Sequence, residues 1–299
     1  DCDIAPGNAS VWYEYNPGGS TEALTFDTKG SNYNTYLAIW TGDRGNLTPV
    51  ACNNDISGSD PDSEVSARFS GNDPYYIEAG EYNGDISGAS VGGNLVLNID
   101  NAAAVDVEIG GNSEGEYAIA KGASIRENYS VNKGPVQIVS TNSFDLIAAM
   151  RVIWQEPGQR TSYSELMGLP KESRSTEYWF PWYNNLAVGS MDQQFRFGNA
   201  DSVPTTIEVY IGDNPNPVAT YPDIQPGDSI RDAYNYNEGP VRVVSANGKL
   251  IIAAMRVIWQ EPGQRTSYSE LMGLPKESLS TEYWFPWYNN LAVGSMDQQ

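Results

Sequence analysis

The segment STEYWFPWYNNLAVGSMDQQ stands at residues 175–194 and again, letter for letter, at 280–299. Tyr178, Trp179, Phe180, Trp182 and Tyr183 crowd its first half, and Pro181 interrupts them. Aromatic side chains suit the pleated surface of a sheet, and a proline inside the run excludes a continuing helix. As a strand, Trp179, Pro181 and Tyr183 fall on one face and Tyr178, Phe180 and Trp182 on the other. Both faces are then apolar, as in a strand buried between modules or subunits. A platform on which sugar rings stack is the second reading of the same rings.

Outward from this segment, the identity extends over 147–194 and 252–299, an offset of 105 residues, with one difference: Arg174 against Leu279. Upstream the match weakens but keeps its register. KGASIRENYSVNKGPVQIVST at 121–141 parallels PGDSIRDAYNYNEGPVRVVSA at 226–246, and VEIGG at 107–111 parallels VYIGD at 209–213 after a three-residue shift. A recurring unit of this size sets the architecture before any local feature does. Within it TTIEVYIG, GPVRVVSA and LIIAAMRVIWQ have the composition of strands, and GDNPNP, PG, NEG and ANGK punctuate them as turns. Only SYSELMGLPKES has a helical flavour, and Pro170 or Pro275 limits it to about one turn. The expected fold class is all-β: tandem β-sandwiches, immunoglobulin-like or jelly-roll-like, with about seven strands per repeat.

Four segments follow. Residues 1–100 stand outside the repeat as a sandwich of their own; 101–174 carry the later strands of a repeat without its first strand; 175–279 are a complete repeat; 280–299 are an orphan first strand. The two defects are complementary. A sandwich lacking an edge strand exposes an apolar groove and unpaired backbone groups, the setting for β-augmentation. The expectation is that 280–299 of one subunit completes 101–174 of the next. Its anchors are Tyr283, Trp284, Phe285, Trp287 and Tyr288, and the receiving core strands carry Val105, Val107, Ile109, Val136, Ile138, Ile147 and Met150. The partner is then the chain itself, head to tail, which yields a filament unless the rotation closes a ring. Two rival readings are a longer array of which these residues are a portion, and completion of the module within one chain.

Composition bounds the setting. Over 299 residues there are 38 acidic against 17 Lys and Arg residues, a net charge of −21, which repels nucleic acid and anionic lipid. No apolar run reaches the roughly 20 residues of a membrane span. The first residue is Asp1, read as the product of leader removal, and the two cysteines, Cys2 and Cys52, are read as one disulfide, with two buried thiols as the alternative. An extracellular or cell-surface location follows.

Residues 1–100 contain SVWYEYNPGGSTEALTFDTKGSNYNTYLAIWTGDRGNLTPVACNND, then SEVSARFSGNDPYYIEAGEYNGD and GGNLVLNI. The order of a V-W-Y strand, a G-S-x-Y-x-T-x-L-A-I-x-T-G segment, a C-N-x-D loop, a Y-Y-I-x-A-G strand and a G-x-L-x-L strand resembles the bacterial pre-peptidase C-terminal domain. The resemblance implies a small β-sandwich of the kind attached to secreted enzymes and surface proteins, some of which bind calcium or matrix polymers. The 105-residue unit is similar to repeats of large bacterial surface proteins. From the residues themselves, Trp12 and Trp40 lie in apolar runs that suggest core packing.

The chain has no histidine, which removes the commonest general base and most transition-metal sites. A carboxylate-pair glycosidase would draw on Glu156, Glu165, Glu261 or Glu270, but these repeat with the unit, and a structural role is preferred, Glu165 and Glu270 serving local backbone donors. Asp55, Asp60, Asp62 and Glu64 crowd one loop without the regular spacing of a calcium ligand set, so calcium is the one cofactor left open. Sequons stand at Asn8, Asn46 and Asn128. The chain is read as a non-enzymatic structural protein, with an adhesive module for extracellular glycan or matrix as the alternative.

Overall fold

The computed structural model describes residues 10–82, 93–155, 157, 162–186, 191–259 and 267–286. These residues are all-β, arranged in antiparallel sheets. No helix among them is long and apolar enough to cross a membrane. Contacts divide the chain into two compact units, Asp1–Asn132 with Val136–Ala148, and Lys133–Pro135 with Ala149–Gln299.

In the first unit, β1 (Ser10–Tyr15), β2 (Glu22–Asp27), β3 (Thr35–Asp43), β4 (Asn46–Asn53), β5 (Glu64–Phe69), β6 (Tyr75–Glu81) and β7 (Asn98–Asn101) form two sheets, ordered β1-β6-β3-β4 and β5-β2-β7. Alternation aims Val65, Ala67 and Phe69 of β5 and Leu37 and Ile39 of β3 into a shared core with Leu24, Phe26, Ile77 and Ala79. Phe69 sits edge-on to Tyr15, Phe26 and Tyr75. The expectation that Trp12 and Trp40 belong to this core is corrected. Trp12 is 46% exposed, and the register pairs it with Glu78 and pairs Trp40 with Tyr76 on the outer face, because Leu37 and Ile39 already hold the inward positions of β3.

A three-stranded sheet follows, β8 (Ala103–Ile109), β9 (Asn112–Ile119) and β10 (Val136–Ser140), in the order β10-β8-β9. Only Ala102 separates β7 from β8, and its N–H donates to the Ala23 carbonyl at 2.9 Å. Ala23, Ala102, Ala104 and Ala118 pack together there, small enough for the elements to approach closely. Arg68 of β5 forms an ion pair with Asp106 of β8.

The second unit opens with a hairpin, β11 (Ala149–Trp154) and β12 (Ser162–Met167), then a 3-10 turn at Lys171–Ser173. The complete repeat comprises β13 (Glu177–Phe180), β14 (Tyr183–Asn184), β15 (Met191–Asn199), β16 (Thr205–Ile211), β17 (Ala219–Ile224), β18 (Ser229–Asp232), β19 (Asn237–Glu238), β20 (Val241–Ser245), β21 (Ile251–Trp259), β22 (Ser267–Met272) and β23 (Leu274–Pro275). One sheet runs β17-β16-β20-β13-β23, the other β18-β15-β21-β22, and β14 pairs with β19. Sheets of five and four strands thus replace the expected seven. SYSELM is strand in both copies, β12 and β22, because pairing with the apolar RVIW run outweighs its helical propensity; the 3-10 turn falls on Lys-Glu-Ser after the proline.

Candidate functional site

The twice-occurring segment provides the site, since the two copies stand in different surroundings. In the complete repeat, β13 lies between β20 and β23, with Tyr178 opposite Val243 and Pro275 and Phe180 opposite Val241. Tyr178 is 0% and Phe180 1% exposed. Phe180 meets Phe195 of β15 edge-on at 5.2 Å, and Tyr183 stacks on Phe195 at 4.9 Å, so residues 177–199 link both sheets through one aromatic cluster. Burial pushes the phenols of Tyr178 and Tyr183 up to about 12.

Trp182 does not join Tyr178 and Phe180 as strict alternation requires. Pro181 has no N–H to continue the ladder, the strand breaks, and β14 re-enters with Tyr183 inward. Trp182 is exposed and donates its indole N–H to Asn237 Oδ1 at 3.0 Å. Trp179 is half-buried and donates to Glu177 Oε1 at 2.8 Å. The segment is therefore apolar chiefly on one face.

In the other copy, Tyr283, Trp284 and Phe285 are 54, 86 and 84% exposed and lie in no strand. Trp287 and Tyr288 lie outside the described residues. The local turn is nonetheless shared. The N–H of Ser175 donates to Tyr178 Oη at 3.2 Å and that of Ser280 to Tyr283 Oη at 2.9 Å. The N–H of Glu177 donates to Ser175 Oγ at 3.1 Å and that of Glu282 to Ser280 Oγ at 3.2 Å. Burial differs; the entry geometry does not.

The strands expected to receive the segment show the converse. By the repeat, β8, β10, β11 and β12 correspond to β16, β20, β21 and β22. Val105, Val107 and Ile109 are buried, like Ile207, Val209 and Ile211. Val136 and Ile138 are exposed, whereas Val241 and Val243, on the strand paired with β13, are fully buried. Met150 is exposed where Met255 is buried, and Pro170 is exposed where Pro275 is buried. Among the described residues, β10 pairs only with β8, and β11 only with β12.

Two expectations about this module change. Ile147, 91% exposed, corresponds to half-buried Ile252; the inward set of β21 is Ile251, Ala253 and Met255, so Ile147 has the wrong parity for a core position. The segment expected to be one first strand also serves more than one, because residues 177–199 supply β13 to one sheet and β15 to the other. Residues 101–174 are divided between the two units, β8 to β10 in the first and β11 with β12 in the second. In the second unit, Ser162 and Ser164 hydroxyls accept the N–H groups of Tyr268 and Glu270 at 3.0 and 3.2 Å, and Trp154 stacks on Tyr268.

Several contacts that hold β13 are not legible from its own residues. Lys276 lies 3.4 Å from Glu177. A Cβ on Gly239 would stand 2.3 Å from the Pro181 carbonyl oxygen, and one on Gly273 2.8 Å from the Phe180 ring. The retention of Gly-Pro at 134–135 and 239–240 is the one sequence sign of the first glycine. Arg174, the position that differs between the copies, donates to the Ala200 carbonyl at 2.9 Å, while Leu279 is exposed.

Of the other candidates, several make local contacts. Asp60 Oδ1 accepts the Asp62 N–H at 3.1 Å, Glu64 pairs with Lys29 at 2.6 Å, and among the described residues no group of three acidic, cysteine or histidine side chains gathers to hold a metal ion. Glu165 and Glu270 do not cap a turn; they pair across the hairpins with Arg151 and Arg256 at 3.1 and 2.7 Å. Glu156, Glu261, Asn8 and Cys2, the expected partner of Cys52, lie outside the described residues. Compared with known proteins, the chain matches no protein-family model and no curated protein.

Proposed function

We propose that this is a secreted structural protein that polymerises head to tail into an extracellular filament or surface layer, with 280–299 of one subunit completing the open repeat of the next. One observation carries the reading: Tyr178 and Phe180 are buried in a strand held between β20 and β23, the identical Tyr283 and Phe285 are exposed, and among the described residues β10, the counterpart of β20, pairs only with β8. The complete repeat supplies the register. Tyr283 would face Ile138 and Phe285 would face Val136, both on β10 of the first unit.

Burying each large aromatic is worth roughly 1.5–3 kcal/mol. Ordering the backbone costs about 1–2 kcal/mol per residue, and the turn at Ser280–Tyr283 reduces that cost because its hydrogen bonds are already made. The acidic charge, the proposed Cys2–Cys52 disulfide and the likeness of 1–100 to a pre-peptidase C-terminal domain support an extracellular setting. Light scattering and negative-stain microscopy of the 299-residue chain beside a version ending at Ser278 test the reading. Fibres from the first and monomers from the second are expected. Monomers from both, or fibres from both, overturn it; monomers that adhere to polysaccharide through Trp284 and Phe285 would favour the adhesive reading instead.

A further inference from the structure

The outer face of the β1-β6-β3-β4 sheet holds a cleft of about 540 Å³ lined by Trp12, Tyr13, Glu14, Arg44, Leu47 and Tyr76. Ligand clefts typically measure ~300–1,000 Å³. The Trp12 and Trp40 rings lie 6.5 Å apart at 31°, a shallow V beside it. Their edges are tied. Trp40 donates its indole N–H to Glu78 Oε2 at 3.1 Å, Tyr36 donates to the other Glu78 oxygen at 2.7 Å, and Trp12 donates to Ser10 Oγ at 3.0 Å. Hydrogen bonds at the edges hold the rings and leave the Trp12 face to solvent, which lowers the ordering cost of a ligand that stacks there.

Polar groups flank the rings. Arg44, beyond the end of β3, and Glu14 of β1 are exposed, and neither takes part in an ion pair among the described residues. A flat aromatic wall with one donor and one acceptor group at its rim matches a pyranose ring, whose C–H face is apolar and whose edge carries hydroxyls. A net charge of −21 disfavours a polyanion. We infer that this cleft binds a neutral polysaccharide, with a sugar ring stacked on Trp12 and Tyr76 and its hydroxyls held by Glu14 and Arg44. The site is separate from the strand-exchange segment and does not depend on polymerisation.

Native gels of the full chain containing soluble mixed-linkage β-glucan, xylan, galactomannan or polygalacturonate provide the test. At least one of the three neutral polymers should retard the protein. Trp12→Ala should weaken that retardation about tenfold, the scale of one lost aromatic contact. Arg44→Ala, at an exposed turn, should weaken it with an unchanged melting curve, and Trp284→Ala should leave it intact. No retardation by the neutral polymers, retardation by polygalacturonate alone, retention on a gelatin matrix alone, or unchanged binding by both Trp12→Ala and Arg44→Ala overturns the inference.

Discussion

Tyr178–Phe180 and Tyr283–Phe285 are the same side chains behind the same serine turn, yet the first set is enclosed and the second faces solvent. The comparison separates two levels of structure. Hydrogen bonds within four residues set the entry to the strand in both places, whereas burial is set by β20, β23 and β15, which lie far away in sequence. The same contrast runs through β10, where Val136 and Ile138 repeat the chemistry of Val241 and Val243 but are exposed, and where among the described residues no strand stands in the place of β13.

The largest expected effect comes from truncating the two phenylalanines. Phe180→Ala should cost roughly 3–5 kcal/mol of unfolding free energy, read from the denaturant midpoint. Phe285→Ala should leave that midpoint in place and abolish assembly. Equal destabilisation by both would mean that the second copy is already buried, and the comparison would collapse.

A smaller and sharper effect is expected from the paired glycines. Gly239→Ala drives a methyl group into the Pro181 carbonyl and should destabilise by about 1–3 kcal/mol. At Gly134 the nearest atom to an added Cβ is Ser229 Oγ at 3.5 Å, an ordinary contact, so Gly134→Ala should melt like the parent. It should still slow fibre growth, because an arriving Pro286 would meet the same obstruction. Undiminished growth would place the incoming strand somewhere other than along β10.

The smallest effect is alkaline. Tyr178 and Tyr183 are raised to about 12, first by burial, against an unfolded value near 10. The unfolded chain therefore releases these protons first. Their contribution to stability is whole below about pH 10 and is lost as the pH rises towards 12. Melting temperature followed across that window should fall, and Tyr183→Phe should make the fall shallower. A flat profile would deny that the aromatic cluster is shielded.

Much of the architecture was legible before any coordinates. TTIEVYI, VRVVS and IIAAMRVIW occupy β16, β20 and β21 because β-branched and apolar residues there recur with the period of a strand. The aromatic segment drew attention through its repetition alone. What was misread turned on parity and on breaks: Ile147 and Ile252 point away from the core, Pro181 resets the alternation so that Tyr183 rather than Trp182 turns inward, and Trp12 lies on an outer face. A window of sequence shows that alternate residues part company, but it does not tell which set a second sheet will cover.

By itself, the sequence determined the all-β class, the 105-residue repeat and the register between its copies, because these depend on composition, turn residues and literal recurrence. Tertiary structure decided which copy of Tyr-Trp-Phe is enclosed, that residues 177–199 serve two sheets, and that β8 to β10 and β11 with β12 fall in different units. The physical reason is that burial and sheet membership are properties of pairs of distant segments. Identical stretches have identical propensities, and only their neighbours make them differ.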